Sequence, residues 1–124
     1  MAKDKMNQII NRRIYMNFSE YQKACERTVK PDATEVDRFT EFCFGLAGET
    51  GEAIDVVKKH LFHGHKLDKE KLAKELGDVM WYLSSTATTA GLSLDDIAAG
   101  NIEKLRKRYP DGFTPEKSMN RTGE

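Results

Sequence analysis

Residues 45–61 read Gly-Leu-Ala-Gly-Glu-Thr-Gly-Glu-Ala-Ile-Asp-Val-Val-Lys-Lys-His-Leu, and residues 72–83 read Leu-Ala-Lys-Glu-Leu-Gly-Asp-Val-Met-Trp-Tyr-Leu. Projected at 100° per residue, the first stretch places Leu46, Ala53, Ile54, Val57 and Leu61 on one apolar arc. The second places Leu72, Leu76, Val79, Met80 and Leu83 on another. Each arc carries acids at its edge rather than on the far, solvent side: Glu49 and Glu52 on the first, Glu75 and Asp78 on the second. The stretch between the two pairs passes through Gly64, which is enough chain to turn back. The spacing therefore predicts two antiparallel helices whose acidic pairs face each other.

Working outward, the remaining punctuation is helical too. Ser19-x-x-Gln22 reads as a capping box and predicts a first helix over about 19–29, closed by Lys30-Pro31-Asp32. The second helix starts near Thr34 or Asp37 and ends at Phe62, with Gly64 as its C-terminal cap. Asp68 caps a third, which runs to about Ala90 before Gly91. Ser93 and Asp96 start a fourth, in which Leu94, Ile97, Ala98, Ile102, Leu105 and Tyr109 keep helical spacing as far as Pro110. No stretch alternates with period two. The fold class expected is all-α, a four-helix bundle-like arrangement forming one domain over 1–124. Its core is expected at about 17–113, with mobile polar termini that include the tail from Asp111.

Composition narrows the function classes. The chain has 124 residues, of which 39% are hydrophobic and 32% charged, and its 20 basic and 20 acidic residues cancel. A balanced chain lacks the broad positive field that draws nucleic-acid polymers or membranes. No apolar run approaches the roughly 18 residues of a membrane span, and Met1 to Arg13 lacks the apolar segment of a secretory signal. Cys25 and Cys43 form no paired motif and read as free thiols of a reducing compartment, so a cytoplasmic location is expected.

Four carboxylates converging beside a core repel one another and resist desolvation unless something positive sits among them. Hard divalent cations with oxygen ligands meet that need, and Mg²⁺ sharing its coordination with phosphate oxygens is the usual intracellular choice. The plain alternative is a set of surface acids in i,i+4 pairs, such as Lys71 with Glu75. Gly48, Gly51 and Gly77 lie among the acids, each costing about 1 kcal/mol in a helix interior. Close helix approach and room for a ligand both account for them. His60, His63 and His65 cluster around Gly64 and read as a solvated helix end.

The segments Gly45–Glu52 and Lys74–Tyr82 closely resemble the MazG-type nucleotide pyrophosphohydrolases, an all-α NTP pyrophosphatase superfamily. Asn101-Ile-Glu-Lys-Leu-Arg-Lys-Arg-Tyr-Pro110 resembles the last helix of its small members, and Phe18 to Thr28 their first. The resemblance implies that Glu49, Glu52, Glu75 and Asp78 hold Mg²⁺, with Mn²⁺ able to substitute. It implies hydrolysis of a nucleoside triphosphate, NTP or dNTP, to a monophosphate and pyrophosphate, as in nucleotide-pool sanitation. Glu52, with Glu49 beside it, is the candidate for orienting or deprotonating the attacking water. Tyr82 is expected to meet sugar or base, with Phe42 and Phe44 walling the base pocket. Asn101, Lys104 and Arg108 are expected to reach phosphates. Homodimers or homotetramers are implied as well.

Relatives with other activities fit less well. Phosphoribosyl-ATP pyrophosphohydrolases double the first acid, where Gly48 stands here, and dimeric dUTPases are generally longer. A di-iron carboxylate bundle needs Glu-x-x-His, which these helices lack. A non-enzymatic helical interaction module does not require four converging acids.

Overall fold

The computed structural model describes residues 16–121. Residues 1–15 and 122–124, to which part of the expected mobile termini belongs, lie outside the described residues. The chain forms α1 (Phe18–Glu26), α2 (Glu35–Phe62), α3 (Lys69–Thr89), α4 (Leu94–Arg108) and α5 (Pro115–Met119). The fold is all-α, with no strand among the described residues. No described helix is long and apolar enough to cross a membrane.

Local chemistry explains each boundary. Thr34 and Asp37 form a reciprocal capping box at the start of α2, and these hydrogen bonds hold the Asp37 carboxyl below its usual range. Asp68 accepts from Lys71 N–H at 2.9 Å to open α3. At the end of α3, Leu92 N–H closes onto the Ala87 carbonyl at 2.8 Å and Gly91 N–H onto Thr88 at 3.0 Å. This Schellman pattern requires the positive φ of 71° that Gly91 takes.

Two expectations differ from the structure. The capping box of α1 is Asn17 with Glu20, two residues earlier than Ser19 with Gln22. Gln22 has a tertiary task instead. Its amide donates to Thr88 Oγ1 at 2.9 Å and to the Leu92 carbonyl at 2.8 Å, and its oxygen accepts from Leu94 N–H at 3.0 Å. One side chain thus fastens α1 to the α3–α4 junction. The segment past Asp111, read only as a polar tail, also carries a short helix: Thr114 caps α5 and Pro115 suits its first turn.

The α2–α3 hairpin is the main packing contact, and α1 packs against α3 and α4. Cys25, Phe42, Ala53, Val56, Ala87 and Leu94 are buried. Phe42, only 1% exposed, meets Trp81 edge-on at 5.5 Å between ring centroids. Trp81 in turn meets Tyr82 at 5.0 Å and donates Nε1–H to Thr28 Oγ1 at 2.8 Å. Arg38 lies over the Phe42 ring, pairs with Glu26 at 2.7 Å and donates to Thr89, joining the ends of three helices.

The glycine that close packing demands is Gly45. A Cβ there would overlap the Tyr82 ring, whereas one on Gly48, Gly51 or Gly77 would meet nothing within 4 Å. Those three glycines border open space. The small Ser84 and Ser85 are wholly buried, and neither hydroxyl has a hydrogen-bond partner.

Opposite outcomes are expected from two alanine substitutions. Gly45→Ala displaces the Tyr82 ring and costs about 1–3 kcal/mol, the usual penalty of overpacking. Ser84→Ala removes a buried unpaired hydroxyl and stabilises by about 1 kcal/mol, a Tm rise of about 4 °C. Thermal melts of both variants check this, and equal, same-sign shifts would contradict the packing described.

Candidate metal centre

Glu49 projects from α2, and Glu75 and Asp78 from α3. Carboxylate oxygens of all three lie within 4.8 Å of one another. Glu49 and Glu75 are half-buried in the seam of the hairpin, and Asp78 is exposed at its edge. The periodicity that places Ala53 and Val56 in the core also turns Glu49 inward, and Val79 does the same for Glu75. No other group of three potential ligands assembles among the described residues.

Partial burial, then the charges of Asp78 and Glu75, push the Glu49 carboxyl above its ordinary value of 4.5. A hydrogen bond to Glu75 and the charge of Glu52 add to this. Among the described residues no ion pair relieves the strain: Arg38, Lys58, Lys59 and Lys107 pair with Glu26, Asp55 and Glu103 instead. Hard oxygen donors without a counter-charge suit a hard divalent cation such as Mg²⁺ or Mn²⁺. The plain reading of Lys71 with Glu75 finds no support, since Lys71 lines a separate cavity with Lys59, His65, Lys66 and Asp68.

The structure brings together three of the four acids read from the sequence. Glu52 is exposed and stands outside the group of three, one turn along α2 from Glu49 and near enough to affect its titration. Tyr82 is half-buried in the aromatic cluster against Gly45. Phe42 is a core residue, and Phe44 points away with 75% exposure, so the two do not form one wall. The histidines are exposed, and His60 Nδ1 lies 2.9 Å from the His65 carbonyl.

Helix α4 holds its candidates elsewhere. Asn101 borders an apolar cavity with Phe18, Tyr21, Met80, Leu83 and Ile97. Lys104 is exposed, and Arg108 lines a basic cavity toward the C-terminal end. Neither cavity includes a carboxylate of the cluster. One neighbour of the cluster escaped the sequence reading. Burial pushes the Tyr21 phenol up to about 12, with Cys25 and then the charge of Asp78 adding to it. Its position on an amphipathic helix carried only a packing signal.

A helical hairpin that sets a carboxylate pair from one helix against an acid from the other could hold a divalent cation. The chain belongs to the MazG nucleotide pyrophosphohydrolase domain family, whose model matches residues 40–113, all of the hairpin but the first turn of α2, together with α4. It is also similar to the "Gene 37 protein" of Mycobacterium phage L5, at 32% identity over 114 residues. That match covers 86% of this chain and 100% of the phage protein. No solved structure matches.

The raised Glu49 pKa fixes the sign of a pH effect. Between its ordinary and its raised value the unfolded chain ionises first, so stability falls as pH rises through that window. Asp37 and Asp55 are shifted down and lose stability only as pH falls toward their own low values. Metal-free protein is therefore expected to melt higher at about pH 5 than at pH 7, and Glu49→Gln to flatten that slope. A wild-type slope unchanged in the variant would contradict the electrostatic reading.

Proposed function

We propose that this chain hydrolyses a nucleoside triphosphate, ribo or deoxy, to a nucleoside monophosphate and pyrophosphate at a divalent-metal site. The observation that carries the reading is the uncompensated convergence of Glu49, Glu75 and Asp78 from two packed helices. Those three would hold Mg²⁺, with Mn²⁺ as a substitute, and the bound ion would neutralise phosphate oxygens and acidify a water. Glu52, outside the group of three but beside it, is left with a free carboxylate. That suits it to orient or deprotonate the attacking water, with its own oxygen as an alternative fourth ligand.

The open backbone at Gly48, Gly51 and Gly77 leaves space for a ligand near the acids. Tyr82 contributes the uncovered part of its ring to the sugar or base. Asn101, Lys104 and Arg108 supply charge and amide donors for phosphates. A homodimer or homotetramer, acting in the cytoplasm on free nucleotides, completes the reading. Its support is an apolar groove of about 450 Å³ along the hairpin, where Ile54 and Leu76 are 60% and 49% exposed. A second copy would cover that face.

The test is pyrophosphate release from a panel of NTPs and dNTPs, canonical and oxidised or deaminated, with Mg²⁺. At least one substrate is expected to turn over. Glu49→Gln, Glu75→Gln and Asp78→Asn are expected to lower kcat or raise the Mg²⁺ requirement by roughly 10²-fold, about 2.7 kcal/mol. Glu52→Gln should lower kcat with less effect on the Mg²⁺ requirement, and Glu116→Gln should behave as wild type. The same preparations are expected to sediment as dimers or larger. Folded variants with full activity would refute the site, and an inactive panel would refute the reaction.

A further inference from the structure

We draw no further inference here: the strongest candidate, the apolar cavity of about 250 Å³ between α1, α3 and α4 that Phe18, Tyr21, Met80, Leu83 and Ile97 line, carries nothing because nothing in the structure shows what covers it.

Discussion

The contact between α2 and α3 is the constraint from which the rest follows. Its seam must exclude water to bury Phe42, Ala53 and Val56, yet the same seam holds Glu49 and Glu75. Packing forces like charges to within a few ångströms, and Glu49 responds by holding its proton to higher pH. Such a hairpin is under electrostatic load in the absence of a cation. Stability given up at a seam is a frequent accompaniment of sites that bind charge.

Several features keep the seam in register under that load. The Phe42–Trp81–Tyr82 cluster fixes the rotation of the two helices, and Gly45 removes the Cβ that would separate them there. Arg38 and Gln22 then tie the hairpin to α1 and to the start of α4. These are directional contacts around a small buried core, and they matter because many large apolar side chains remain exposed. The aromatic brace lies next to the acids along both helices, so positioning and chemistry share one stretch of sequence. This is the stretch that the family model covers.

Much of this was legible in the residues. Apolar arcs at helical spacing gave α2, α3 and α4, and cap residues with side chains of fixed reach, Thr34, Asp68 and Ser93, gave their starts. The convergence of Glu49, Glu75 and Asp78 follows from the same period, because the acids sit at the edge of the buried arc. What was not legible depended on tertiary neighbours. Ser19-x-x-Gln22 matches a capping box as well as Asn17-x-x-Glu20 does, and only the α3–α4 junction claims Gln22. Gly45 and Gly48 look alike as letters, yet one faces the Tyr82 ring and the other open space. The basic cavity needs Thr114 to cap α5 and carry Lys117 back toward Lys107, and a polar tail does not announce such a turn.

The central claim is that three carboxylates from two helices form one cation site. Electron paramagnetic resonance of Mn²⁺ titrated into nucleotide-free protein tests it most directly, because the signal of the free ion falls as it binds. The account predicts saturable binding that weakens at least tenfold in Glu75→Gln and in Glu49→Gln alike, although the two residues lie on different helices. Binding unchanged in both folded variants would contradict it.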